Sequence, residues 1–187
     1  MDPRLYRQDI VGLRALAVIL VIGFHIGAPG FELGYLGVDI FFVISGFLVG
    51  GHIYHEITEG KLNLMEFYTR RANRLLPALA AMLVGTAIVA CFVLLPSDLD
   101  YLKQSYIAAA FFYSNFFFLR NTGYFDPSSE ENLLLHTWSL SVEEQFYFVI
   151  PFFMLALTRF GVRRIITAIS VLLVISLLTD AILALLK

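Results

Sequence analysis

The chain has 187 residues, 59% of them hydrophobic and only 15% charged, with a formal net charge of −2. A soluble domain of this size has no use for so much apolar surface. Runs that approach or exceed the ~20 residues needed to span a bilayer recur along it, so the expected fold is an all-α, polytopic bundle of transmembrane helices.

No basic, aromatic-interleaved stretch points to nucleic acid, and oligomeric state is not legible. The single cysteine, Cys91, has no partner for an internal disulfide or a metal site and reads as packing.

Arg4 and Arg7 precede the first apolar run, as in a signal peptide. Arg14 interrupts that run and no small-residue cleavage site follows, so it is expected to stay as span 1, Ile10 to Ile26. Three arginines at its start, with only Glu32 beyond its end, place the N-terminus in the cytoplasm. Arg14 and His25 are eleven positions apart. At about 100° per residue they project from nearly the same helix face, roughly 16 Å apart along the axis. An ionisable residue inside a membrane is a functional candidate by default. The alternative is that Arg14 snorkels to the interface and His25 caps the outer end.

Span 2, Tyr35 to Ile57, runs inward with Asp39 near its outer end and Ser45-Gly46 near its middle. Gly46 and Gly50 have the small-xxx-small spacing that lets another backbone approach. His52, His55 and Glu56 at its inner end read either as solvated interface groups or as metal ligands. The loop Thr58 to Arg74 is basic and therefore cytoplasmic, and Asn63 with Glu66 forms a candidate capping box. Its arginines, Arg70, Arg71 and Arg74, are either a positive-inside cluster or a phosphate clamp, since guanidinium forks match phosphate oxygens.

Span 3, Leu75 to Leu95, runs outward with Pro77 in its first turn and ends at Pro96-Ser97-Asp98. The segment Tyr101 to Leu119 is long enough to cross. A full crossing would put the acidic loop with Asp126, Glu130 and Glu131 inside and Arg159, Arg163 and Arg164 outside, inverting the charge rule. A re-entrant or broken helix is expected instead, with Ser114-Asn115 as its polar break and protein covering its backbone. Pro127-Ser128-Ser129 marks a turn in the outer loop. Span 4, His136 to Leu157, carries Trp138, Ser139, Glu143, Glu144 and Gln145 in its outer half. Glu143 and Glu144 project about 100° apart, so only one is expected at any given site. Span 5, Ile165 to Leu186, is interrupted by Asp180.

By depth the polar residues fall into two groups. Arg14, Arg70, Arg71 and Arg74 lie on the cytoplasmic side, and His25, Asp39 and Glu143 or Glu144 lie in the outer half, with Ser45 and Gly46 between. This reads as an anion holder joined to an acid–base site. A neutral imidazole is what a base for a hydroxyl must be, and a neighbouring carboxylate orients it.

Four ordered motifs carry a resemblance: Arg14-x10-His25; Phe41-Phe42-x-x-Ser45-Gly46; Arg71-x-x-Arg74; and Ser139-x-x-x-Glu143 within HTWSLSVEEQFY. Together they resemble acyltransferase family 3, the integral-membrane O-acyltransferases of bacterial lipopolysaccharide, peptidoglycan and other surface glycans, over essentially the whole chain.

The resemblance implies an acyl-CoA donor, usually acetyl-CoA, held from the cytoplasmic side, and a glycan or glycolipid acceptor outside, with no metal. His25 would be the general base or transient acyl carrier and Glu143 its partner. Arg14, Arg71 and Arg74 would hold CoA phosphates. Ser45, Gly46 and Ser139 would shape the passage, with Asp39 a supporting acid. The family's domain has around ten spans, so residues 1–187 are expected to be its N-terminal portion, with the C-terminal part absent. A secondary transporter or proton relay is the other class that places His, Asp and Glu in a membrane, although no inverted repeat is visible. A membrane fragment without activity is a third reading.

Overall fold

The computed structural model describes residues 8–95, 99–121 and 132–185, and every regular element among them is a helix. In chain order these are α1 (Gln8–His25), α2 (Leu36–Thr58), α3 (Leu64–Val93), α4 (Leu99–Ala110), α5 (Ser114–Asn121), α6 (Thr137–Thr158) and α7 (Val162–Leu185). Four of them, α1, α2, α3 and α6, are long and apolar enough to cross a membrane, and α7 holds a shorter apolar stretch, Ile166–Thr179. Their outward faces are apolar too: Val43 is 72% exposed and Leu173 60%. Such faces suit lipid, and the chain is a helical membrane bundle. Arg4, Arg7, Pro96-Ser97-Asp98 and the loop with Asp126, Pro127, Glu130 and Glu131 lie outside the described residues, as does the side chain of Asp180.

Helix α1 stops where Gly27 takes a left-handed φ of 65°. The Ala28 amide then reaches back to the Gly23 carbonyl at 2.9 Å, closing the helix end with its carbonyls satisfied. The chain returns tightly as α2. A Cβ on Gly37 would sit 2.5 Å from the Ala17 carbonyl oxygen, and one on Gly34 2.1 Å from that of Leu20. The close approach expected at Gly46 and Gly50 is not made there. A Cβ on Gly46 would meet only the Phe146 ring at 4.0 Å, and one on Gly50 nothing within 4 Å. The short turn forces the α1 and α2 backbones together at its own end, whereas Gly46 faces the side chains of α6.

Half of the expected capping box forms: the Asn63 side chain accepts the Glu66 amide at 3.2 Å, while the Glu66 carboxylate pairs with Arg70. The Asn63 cap opens one continuous helix of 30 residues, where two elements with a junction at Leu75 were expected. Pro77 is therefore inside α3, not in its first turn, and the Asn73 carbonyl loses its helical donor. At about 1.5 Å per residue α3 is roughly 45 Å long, well beyond a ~30 Å hydrocarbon core, so its basic first third is the part left over.

The expected break is present, two to three residues early. Helix α4 ends at Ala110 and α5 begins at Ser114, with Phe112 between them at φ 54°. A left-handed bulky residue is strained by about 1–2 kcal/mol, so its surroundings must hold it. They do: Gln145 Nε2 donates to the Phe112 carbonyl at 2.8 Å and to Asn115 Oδ1 at 3.0 Å, while Asn115 Nδ2 returns a bond to Gln145 Oε1 at 3.2 Å. Ser114 Oγ and Ser141 Oγ are 2.7 Å apart, and Thr137 Oγ1 lies 3.0 Å from Ser114 Oγ. The two short helices fold back on each other. The Tyr101 and Phe117 rings are 5.4 Å apart, where a continuous helix would separate them by about 24 Å. Ala109, Phe118 and Leu134 form the core of this corner, and a second core of Ile53, Phe67 and Met154 joins the ends of α2 and α6 to the start of α3.

Candidate active site

Four helices enclose a cavity of about 690 Å³. Each contributes a helical stripe: α1 through Arg14, Val18, Val21 and Ile22; α2 through Phe41, Ser45, Leu48 and His52; α3 through Phe67, Arg71 and Arg74; α6 through Ser139, Glu143, Glu144 and Tyr147. The recurring steps of three and four residues keep each stripe on one helix face. Arg14, Ser45, Arg71, Arg74, Ser139 and Glu143, from separate motifs in the chain, thus meet around one space. Both Glu143 and Glu144 line it, whereas only one carboxylate was expected. Their 100° divergence still lets both reach a cavity this wide.

Glu143 is the hub. Its Oε1 accepts Ser45 Oγ at 2.6 Å and also the Tyr147 hydroxyl one turn further along α6. Tyr147 is 5% exposed. The Arg71 guanidinium lies over its ring, 3.2 Å from the centroid, and 5.3 Å from that of Phe67. Arg71 Nε is buried with no hydrogen-bond partner. The cavity therefore presents cationic and anionic groups together, with donor and acceptor capacity left open on both.

Not every expected residue joins them. His25 ends α1 on the same face as Arg14, one turn beyond Ile22, but does not bond Glu143. Its Nδ1 lies 2.8 Å from the Val21 carbonyl, and His136 lies within electrostatic range of it. The direct His25–Glu143 pair expected from sequence is replaced by Ser45 and Tyr147 on the carboxylate and by α1's own backbone on the imidazole. Asp39 is exposed in the first turn of α2 and Gly46 is half-buried, and neither lines the cavity. Asp39 stands six positions before Ser45 and so on another face of α2. Arg70 is drawn off to Glu66 at 2.8 Å and Glu56 at 3.5 Å, which leaves Arg71 and Arg74 as the members of the cluster that line the cavity. His52 and His55 pair with Glu56 and Glu59, each at 3.1 Å. No group of three potential metal ligands occurs among the described residues.

Tyr147 and His136 were not anticipated, and His52, expected at the interface as a solvated group or metal ligand, lines the cavity instead. Tyr147 had a usable signal, the i,i+4 step from Glu143 that follows Ser139 to Glu143. His52 shares a face with Ser45 by an i,i+7 step. His136 comes near His25 only because α1 ends where α6 begins.

A family model described as an acyltransferase domain matches residues 7–185. The chain is 40% identical over 158 residues to the peptidoglycan O-acetyltransferase OatA of Listeria monocytogenes, a match covering 83% of this chain and 25% of that protein. It is 39% identical over 179 residues to the O-acetyltransferase OatA of Staphylococcus aureus, covering 94% of this chain and 29% of that protein. An uncharacterized protein of Haemophilus influenzae is 38% identical over 144 residues, covering 76% of this chain and 59% of that protein. The chain thus spans under a third of the length of the two acetyltransferases. No solved structure matches it.

Proposed function

The chain belongs to the acyltransferase family whose model it matches from residue 7 to residue 185, and from that premise we propose that it takes part in moving an acyl group from acyl-CoA to a hydroxyl of a cell-surface glycan. The acyl group is acetyl, and the acceptor is peptidoglycan or a related surface polysaccharide, by likeness to the two OatA proteins. The observation that carries this is the convergence of Arg14, Arg71 and Arg74, from two helices, on the cavity that holds Glu143. Guanidinium groups suit the phosphates of CoA. The basic residues gather where α1 and α3 begin and α6 ends, which by the positive-inside rule supports a cytoplasmic face at that end and a donor entering from it.

His25 is the group assigned to the transfer. A carbonyl only accepts, so Nδ1 facing Val21 O carries the proton, and a neutral ring then offers an unprotonated Nε2. As general base, Nε2 takes the proton of the acceptor hydroxyl while its oxygen bonds the thioester carbonyl carbon. The C–S bond breaks, and the imidazolium returns the proton to the CoA sulfur. Glu143, fixed by Ser45 and Tyr147, is the carboxylate whose negative charge favours the imidazolium formed on His25. The axial offset of roughly 16 Å between Arg14 and His25 is of the order an extended pantetheine arm covers.

The test is transfer from labelled acetyl-CoA in membranes holding the protein. His25→Ala should abolish it, and Arg71→Ala with Arg74→Ala should weaken CoA binding. Transfer that survives His25→Ala overturns the catalytic assignment, and solute or proton flux without acyl transfer would instead mark a transporter.

A further inference from the structure

Tyr147 touches both halves of the proposed site. It is buried, one turn from Glu143, and its hydroxyl donates to Glu143 Oε1, the oxygen that also takes Ser45 Oγ at 2.6 Å. Two donors on one oxygen hold the carboxylate in a fixed rotation and leave Oε2 as the atom open to a further donor. The opposite contact is made by the ring. The guanidinium carbon of Arg71 stands 3.2 Å above its centroid, a face-on stack that spends no N–H of the arginine. Arg71 Nε stays buried and without a partner, an unmet demand that an anion in the cavity would satisfy.

Resting on the assignment of Glu143 and Arg71 to the transfer site, we infer that Tyr147 is its positioning residue. The hydroxyl sets the Glu143 carboxylate, the ring sets the Arg71 guanidinium, and one side chain keeps the carboxylate and the donor clamp in register. The two contacts use different parts of the residue, so substitution separates them. Tyr147→Phe removes the hydroxyl and keeps the platform; Tyr147→Leu removes both.

The experiment is steady-state transfer from acetyl-CoA in membranes holding the whole protein, with CoA binding and the infrared carboxyl band of Glu143 measured on the purified variants. Tyr147→Phe should lower kcat about tenfold, leave the KM for acetyl-CoA and CoA affinity unchanged, and shift the Glu143 band. Tyr147→Leu should lower kcat as far and also weaken CoA binding about tenfold. Equal effects of the two variants on kcat and CoA binding, with no band shift in Tyr147→Phe, would reduce Tyr147 to a packing residue and overturn the proposal. Full turnover in both Glu143→Gln and Arg71→Ala would remove the site itself. Loss of turnover in those two, with wild-type kinetics and an unmoved band in Tyr147→Phe, would remove only the role of Tyr147.

Discussion

Helix α6 carries polar side chains on two opposite faces. Ser139, Glu143 and Tyr147 line the cavity, while Thr137, Ser141 and Gln145 bond the break between α4 and α5. Each set steps by four residues, and the sets are offset by two, about 200° around the helix. They differ in how completely the chain satisfies them. On the break side the groups are consumed: Thr137 also donates to the Leu134 carbonyl at 2.7 Å, and Gln145 serves Phe112 and Asn115 with both ends of its amide. On the cavity side one oxygen of Glu143 carries both bonds and Arg71 Nε has none. A closed polar network fixes structure, whereas an open one is available to a ligand.

Substitutions on the two faces should therefore fail in different assays. The largest effect belongs to Glu143→Gln, which keeps the shape and should cost acyl transfer about 10³-fold, near 4 kcal/mol of barrier, with the melting temperature in detergent unchanged. Next comes Gln145→Ala on the opposite face. It leaves the Phe112 carbonyl and the Asn115 amide without partners and should destabilise the fold by about 3 kcal/mol, read as a lower midpoint of thermal unfolding, with CoA affinity retained in the folded fraction. Ser45→Ala removes one of two donors to Glu143 and should slow transfer about tenfold, close to 1.4 kcal/mol, without moving the midpoint. Ser141→Ala should lower the midpoint by the equivalent of about 1 kcal/mol and leave kcat alone. Asp39→Asn, off both stripes, should change either measurement by less than about 0.5 kcal/mol. A Gln145 variant that folds normally yet loses transfer would collapse the distinction between the faces.

Much of the bundle was legible because lipid imposes a simple rule. Spans must be long and apolar, and charges must lie at the ends or be shared, so α1, α2, α3, α6 and α7 follow from hydropathy, and the broken segment follows from charge placement. The N-cap at Asn63 was legible for a local reason, since its side chain and the Glu66 amide lie within one turn. The continuity of α3 was not, because a proline near a basic-to-apolar boundary reads equally as a helix start or as an interior position. The site was legible as a set of residues and not as a set of bonds. Arg14, Arg71, Arg74, Ser45, Ser139 and Glu143 do share one cavity, but Glu143 is bonded to Ser45 and Tyr147 where His25 was expected.

By itself, the sequence determined which residues are too polar for lipid and, through helical periodicity, which of them share a face: Arg14 with His25, and Ser139 with Glu143. Periodicity is a property of one helix, so it carries no information about which face turns toward which neighbour. The tertiary structure decided that. It turned the Glu143 stripe toward the arginines and the Gln145 stripe toward a strained loop at Phe112. It also spent Arg70 on Glu56 and Glu66 and set the Tyr147 ring against Arg71. These contacts join residues far apart in the chain, and their geometry depends on how whole helices pack.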